Sequence, residues 1–212
     1  MKQDPVILFD LGGVLIDWNP RRLYRKTMGE AETEHFLANV CTSEWNLALD
    51  GGRPFSEGIR EKQEAWPAYR EAIAWWGSRW EEMLGGPIQG TVDILAELRD
   101  QGRRIYALTN WSAETFPRAR ARFEFLAWFG DTVVSGEEGM VKPDPAFYRL
   151  AARRCGAKPG DIVFIDDSRV NVEAAAGLGF QAIHFTGPEA LRADLVQRNL
   201  LCEGLAPCAG SL

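Results

Sequence analysis

Five short apolar runs, spaced along the chain with helical patterns between the later ones, most constrain the fold. None of them alternates strictly between apolar and polar residues, as expected for strands buried on both faces of a parallel sheet. The runs cover residues 6–9, 105–108, 132–134, 162–165 and 182–185. The helical patterns cover residues 91–100, 113–122, 145–154, 170–178 and 188–198. This alternation predicts an α/β fold with a doubly wound, Rossmann-like parallel sheet.

The interval between the first and second apolar runs departs from the alternation. Residues 17–88 have an almost wholly helical pattern without a β-rich run, whereas a crossover needs only a dozen or more residues. We therefore predict a helical cap at 17–88, inserted into a core of residues 1–16 and 89–203, with a loose tail at 204–212. The insert holds five tryptophans, which we expect to form its core, the alternative being an aromatic wall for a substrate. They are Trp45, Trp66, Trp75, Trp76 and Trp80.

Composition narrows the classes of function. The 212 residues are 46% apolar and 25% charged, enough for one well-packed domain with a smaller insertion. A net charge of -6 disfavours nucleic-acid and anionic-membrane partners. We see no signal peptide and no apolar stretch of roughly 18 residues. The four cysteines include no C-x-x-C pair, so we expect reduced thiols in a cytoplasmic protein; the sequence leaves the oligomeric state open.

Polar side chains follow four of the predicted strands. They are Asp10, Thr109 with Asn110, Ser135, and Asp166 with Asp167. Ligands of open parallel sheets bind at this edge. Carboxylates about 4 Å apart repel by about 4 kcal/mol at an effective dielectric near 20, so three of them need protons or a cation. Mg²⁺ with oxygen ligands meets this need, and Lys142 adds a fixed positive charge.

The motifs around these residues resemble the haloacid dehalogenase-like hydrolase superfamily over nearly the whole chain. They are FDLGGVL with Asp10 at the nucleophile position, ALTN with Thr109, GMVKPDPAFY with Lys142, and VFIDDSRVNVEAA with Asp166 and Asp167 at the acidic pair. This family places its first-type cap after the first motif, where the helical insert lies. The DLG start is similar to a subset that includes sugar-phosphate phosphatases.

The resemblance implies a Mg²⁺-dependent phosphatase for a small phosphorylated metabolite such as a sugar phosphate. Asp10 would attack phosphorus and form an aspartyl-phosphate that water later hydrolyses. The Thr109 hydroxyl would hold the phosphoryl oxygens, and Lys142 would stabilise Asp10 and the developing charge.

The resemblance also implies the ligands of metal and substrate. Mg²⁺ would lie on Asp10, the backbone carbonyl of Gly12 and Asp167, with Asp166 as a further ligand or just behind them. The candidate substrate-binding residues are Asn110, Gly12 and Trp18.

Position 12 departs from the family pattern. Family phosphatases carry a second Asp two residues after the nucleophile, as general acid and then base, and this chain has Gly12 there. Such help is typically worth about 10²–10⁴-fold, so poor leaving groups should suffer most. We expect Asp17 to be a linker residue rather than a replacement.

Two other functions remain open. A 2-haloacid dehalogenase would need no leaving-group protonation and would tolerate Gly12, but Asp166 and Asp167 would repel an anionic haloacid. A catalytically weak phosphate-binding or sensor module would also explain Gly12, although Asp10, Thr109 and Lys142 are all retained.

Overall fold

The computed structural model describes residues 4–202, so the predicted tail at 204–212 lies outside the described residues. The strands are β1 (Val6–Phe9), β2 (Ile16–Trp18), β3 (Leu84–Pro87), β4 (Ile105–Thr109), β5 (Thr132–Val134), β6 (Ile162–Asp166) and β7 (Gln181–His184). The helices are α1 (Arg21–Met28), α2 (Glu30–Asn39), α3 (Ser43–Asp50), α4 (Phe55–Ala65), α5 (Arg70–Ser78), α6 (Gln89–Asp100), α7 (Phe116–Arg122), α8 (Ser135–Glu138), α9 (Pro145–Cys155), α10 (Arg169–Gly177) and α11 (Pro188–Gln197).

The main sheet has five strands in the order β5-β4-β1-β6-β7, and each neighbouring pair is parallel. The chain moves outward from β1 to β4 and β5, then returns to the other side of β1 for β6 and β7. The strand order therefore reverses beside β1, where open parallel sheets bind their ligands at the carboxyl edge. The predicted doubly wound parallel sheet is confirmed.

The residues of strand β1 are buried on both faces of the sheet. Ile7 and Phe9 belong to one apolar cluster, and Val6 and Leu8 belong to the other. All four side chains are fully buried. Successive strand residues point to opposite faces, so an uninterrupted apolar run is the pattern that this central position requires.

The insert is helical, with α1 to α5 between residues 21 and 78, but the expectation that it holds no strand is wrong. Strands β2 and β3 pair antiparallel, with Ile16 opposite Pro87 and Trp18 opposite Leu84. Both strands are short, and β3 contains Gly85 and Gly86, which have low β propensity. The pairing of the two ends of the insert therefore forms this ladder. The boundaries at residues 17 and 88 stay a prediction.

Aromatic side chains form the centre of the insert. Trp45 and Trp76 meet edge to face with ring centroids 5.2 Å apart, and both are buried. The Tyr24 ring lies 4.6 Å from that of Phe36, and its hydroxyl donates to the Ala72 carbonyl at 2.9 Å. Trp66 and Trp75 pack against the same cluster. These tryptophans therefore have the packing role that we expected.

The cysteines match the expectation only in part. Cys41 and Cys155 are buried free thiols, whereas Cys202 takes part in a disulfide bond. The expectation of reduced thiols is therefore wrong at Cys202, because the lack of a C-x-x-C pair does not exclude bonds between cysteines spaced further apart.

Within residues 4–202, every helix is too short or too polar to cross a bilayer.

Candidate active site

Asp10 directly follows β1 at the point where the strand order reverses. Its backbone N–H donates to the Ile165 carbonyl at 2.8 Å, which continues the ladder to β6. Its side-chain Oδ1 accepts from the Leu11 N–H at 2.7 Å. The residue is 7% exposed. The sheet therefore holds a nearly buried carboxylate at the floor of the crevice.

Lys142 is fully enclosed beside this carboxylate. Its Nζ lies 2.9 Å from Asp10 Oδ1 and 2.7 Å from Asp166 Oδ2. Asn110 holds the lysine backbone, donating to the Lys142 carbonyl at 3.0 Å and accepting from its N–H at 2.8 Å. A buried ammonium is tolerated only when it is paired, and here two carboxylates share it.

Asp166 ends β6 and is fully buried. Besides the bond to Lys142, its carboxylate accepts from the Ser168 N–H at 2.8 Å. The Asn171 amide donates to both of its oxygens, at 3.1 Å each. The Asp166 carboxylate is thus held in one orientation by hydrogen bonds. Its neighbour Asp167 is exposed at the edge of the crevice.

Asp10, Asp166 and Asp167 form an acidic trio. One carboxylate oxygen from each lies within 4.8 Å of the other two. The backbone at Gly13 approaches the trio closely, because a Cβ there would overlap the Asp167 carboxylate. Gly13 also has a φ of +76°, which favours glycine. An all-oxygen donor set of this size suits a hard divalent cation such as Mg²⁺.

Burial and the neighbouring carboxylates raise the pKa values of Asp10 and Asp167. Burial raises the pKa of Asp10 to about 7, and the charges of Asp166 and Asp167 add to this while Lys142 opposes it. Burial and the Asp166 charge also raise the pKa of Asp167. Burial alone would lower the pKa of Lys142, but Asp10 and Asp166 raise it. The lysine therefore stays charged, and added positive charge would favour ionisation of the carboxyls.

Thr109 is the last residue of β4 and is 1% exposed. Its Oγ1 is buried and finds no hydrogen-bond partner among residues 4–202. Leaving a buried hydroxyl unpaired costs about 1–3 kcal/mol. The predicted contact with a phosphoryl oxygen would satisfy it.

A cavity of about 210 Å³ opens at the crevice. Its lining includes five of the predicted site residues: Asp10, Gly12, Trp18, Asn110 and Asp167. A second cavity of about 510 Å³ lies in the insert, and both cavities are lined by Trp18 and Asn46. The sheet and the insert therefore both contribute to the enclosed space.

The lining also includes Asn46, Asp50 and Trp111, which were not predicted for this site, and Trp80, one of the tryptophans for which an aromatic wall was the alternative role. Asp50 ends α3, and burial raises the pKa of its carboxyl to about 8. The sequence around Asp50 shows only an acidic residue before Gly51 and Gly52 at the end of a helix. Asp17 lies in β2 and pairs with Arg22, in keeping with the expected linker role.

A parallel sheet with a buried carboxylate, a buried lysine and an acidic trio at its switch point, together with a helical insert, defines an α/β protein with a candidate active site at the carboxyl edge of the sheet. Residues 5–179 match the haloacid dehalogenase-like hydrolase family. The chain therefore belongs to this family and is a hydrolase.

Three relatives illustrate the similarity. A sesquiterpene phosphatase of Aspergillus oryzae is 28% identical over 196 residues, covering 90% of this chain and 94% of the relative. A phosphorylated carbohydrates phosphatase of Thermotoga maritima is 27% identical over 205 residues, covering 84% and 83%. A haloacid dehalogenase family enzyme of Bacteroides thetaiotaomicron, solved as a magnesium complex, has 22% identity and a TM-score of 0.69, with 88% and 95% coverage. The last likeness is one of fold.

Proposed function

We propose that this hydrolase is a Mg²⁺-dependent phosphatase that acts on a small phosphate monoester through an aspartyl-phosphate. The observation that carries the proposal is the buried Lys142 ammonium between Asp10 and Asp166, at 2.9 and 2.7 Å, beside an acidic trio. The names of the two phosphatase relatives support the same reaction class.

Asp10 is the nucleophile in this proposal. Both the Leu11 N–H and the Lys142 ammonium bind Oδ1, so Oδ2 is the oxygen available to attack phosphorus. Lys142 favours the ionised form of the Asp10 carboxylate and offsets the charge that develops on the phosphoryl group. The Thr109 hydroxyl donates to a phosphoryl oxygen and gains the partner that it lacks among residues 4–202.

The residues present fit Mg²⁺. Asp10, Asp167 and the Gly12 carbonyl are the proposed ligands, and the hydrogen bonds of Asp166 suit it to orienting Lys142. Bound Mg²⁺ would shield the negative charge of the phosphoryl group. The magnesium complex of the Bacteroides enzyme, which has the same fold, supports this choice of metal.

The two cavities suggest which part of a substrate would contact the sheet and which part would contact the insert. The phosphate would lie beside Asp10 in the smaller cavity, with its alcohol portion against Trp18. The larger cavity combines aromatic Trp76 with the charged pair of Arg21 and Glu34. A lining of this mixed kind suits a small metabolite such as a sugar phosphate, and an apolar alcohol phosphate is the competing class suggested by the sesquiterpene phosphatase.

A turnover screen tests the proposal. Sugar phosphates, a prenyl phosphate and p-nitrophenyl phosphate are assayed with Mg²⁺ and with chelator, beside 2-chloropropionate. We expect Mg²⁺-dependent phosphate release that Asp10→Asn abolishes. Asp93→Asn is the matched control, because Asp93 is an exposed acid on α6 outside the cavity lining.

Two outcomes would contradict the phosphatase. Halide release from 2-chloropropionate that persists with chelator would identify a dehalogenase. Tight binding of inorganic phosphate without turnover of any ester would identify a sensor module.

A further inference from the structure

The cavity beside Asp10 has room where the general acid of related phosphatases would lie. A Cβ at Gly12 would have no atom of residues 4–202 within 4 Å beyond its chain neighbours, and Gly12 lines the cavity together with Asp10. The first motif therefore contributes open space rather than a proton donor. An alkoxide leaving group still requires a proton, so another side chain has to deliver it.

Asp50 is the carboxyl group that the insert brings into this cavity. Its Oδ2 accepts from the Asn46 amide at 2.7 Å, one turn earlier on α3. The Asn46 oxygen in turn accepts from the Trp76 ring N–H at 3.1 Å. The tryptophan thus determines which end of the Asn46 amide faces Asp50, and the network orients the carboxyl group.

Contacts with the sheet domain hold the end of α3 at the crevice. The Ser135 hydroxyl donates to the Asp50 carbonyl at 2.6 Å and accepts from the Trp111 N–H at 2.8 Å. Gly52 passes close to the Gly136 carbonyl, where a Cβ would lie at 3.2 Å, and has a φ of +102°. Backbone contacts on both sides therefore set the position of Asp50 relative to Asp10.

The environment of Asp50 favours its protonated form near neutral pH. Burial raises the pKa of the carboxyl group to about 8, and the charge of Asp10 adds to the effect. The hydrogen bonds from the Ser112 backbone N–H and from Asn46 act in the opposite direction. A carboxylic acid that keeps its proton at neutral pH can serve as a general acid.

We propose that Asp50 is the general acid and base of the reaction, in the place that Gly12 leaves open. This inference rests on the proposed phosphatase function. As Asp10 bonds to phosphorus, the bond from phosphorus to the leaving oxygen breaks and that oxygen takes the Asp50 proton. The Asp50 carboxylate then takes a proton from water as the water oxygen bonds to phosphorus. The Asp10–phosphorus bond breaks, phosphate is released and Asp50 is protonated again.

The dependence of kcat/KM on the leaving group tests whether Asp50 acts as the general acid. The value of kcat/KM depends only on the steps up to and including the first irreversible one, which here is the formation of the aspartyl-phosphate. In Asp50→Asn we expect kcat/KM to fall by about 10²–10⁴ for alkyl phosphates and to change little for p-nitrophenyl phosphate, which leaves without a proton. Because the second step is slowed as well, p-nitrophenol should appear in a burst. Glu44→Gln, an exposed acid on the same helix, should behave as wild type on both substrates.

A second variant distinguishes a catalytic role of Asp50 from a role in packing. Gly12→Asp fits the open space at position 12, so adding it to Asp50→Asn should restore much of the lost alkyl phosphate turnover. An equal loss on both substrate types, or no recovery in the double variant, would overturn the role of Asp50 and leave the phosphatase intact. Absence of ester turnover by the wild-type protein would overturn the phosphatase and this inference together.

Discussion

At the scale of single residues, removing the Thr109 hydroxyl should affect phosphate binding and protein stability in different ways. It is buried without a partner among the described residues, so Thr109→Val should leave the free energy of unfolding unchanged or raise it by about 1 kcal/mol. Loss of the proposed donor to phosphate should lower kcat/KM by roughly 10²-fold. Urea unfolding and ester turnover measure the two effects.

Thr91 provides the matched control. Its hydroxyl on α6 is also buried and unpartnered within residues 4–202, so Thr91→Val should have a similar effect on stability and none on turnover. Equal losses of activity in both variants would show that the hydroxyl at Thr109 has no special part in binding phosphate.

Residue positions near the sheet were predictable to different degrees. Asp10 and Asp166 could be expected to meet, because strand ends of a parallel sheet converge at one edge. Lys142 lies in the loop between α8 and α9, and only the resemblance of its motif placed it at the site. Asp50 could not, because its place depends on the bond from Ser135 to its carbonyl. That contact spans 85 positions along the chain, and no local pattern encodes it.

At the scale of elements, the five strands of the main sheet begin and end within one residue of their predicted bounds. Apolar runs predict such strands well, because burial on both faces leaves little sequence freedom.

The predicted helix bounds agree less closely with the structure. Helix α7 begins at Phe116 rather than at residue 113, because Pro117 is accommodated only in a first turn. The β2–β3 ladder was missed, because paired residues such as Ile16 and Pro87 lie far apart in the sequence and leave no periodic signal.

The end of helix α3 allows a test of protonation that needs no substrate. The folded-state pKa of Asp50 is raised to about 8, from about 3.9 in an unfolded chain. The folded state therefore binds the Asp50 proton more tightly than the unfolded state. The stability that this proton contributes is complete below about pH 4 and is lost as the pH rises through 8. Asparagine does not titrate, so Asp50→Asn should become steadily more stable relative to wild type between pH 5 and pH 8.

Urea unfolding of both proteins at several pH values measures this difference, in which the other titrating groups largely cancel. Glu44→Gln on the same helix should show no such trend, because Glu44 is exposed. A constant difference between Asp50→Asn and wild type from pH 5 to pH 8 would mean that the Asp50 carboxyl titrates as in an unfolded chain.

At the scale of the whole molecule, the proposed Mg²⁺ site would couple metal binding to folding. Asp10 directly follows β1 and Asp166 ends β6, and these are neighbouring strands of the main sheet. The unfolded chain therefore does not bring the trio of Asp10, Asp166 and Asp167 together. A ligand that binds only the folded state adds about 2.7 kcal/mol at a concentration 100 times its Kd. Mg²⁺ should therefore raise the melting temperature by several degrees.

Thermal unfolding in MgCl₂, and in KCl at equal ionic strength, measures this effect. The potassium salt should give little change, because screening alone does not bridge the three carboxylates. Asp167→Asn should lose most of the Mg²⁺ shift while keeping the Lys142 pairs with Asp10 and Asp166. The folded state would then be intact but without one of its proposed ligands. An equal Mg²⁺ shift in wild type and Asp167→Asn would place the ion elsewhere on the protein and remove the metal from the proposed mechanism.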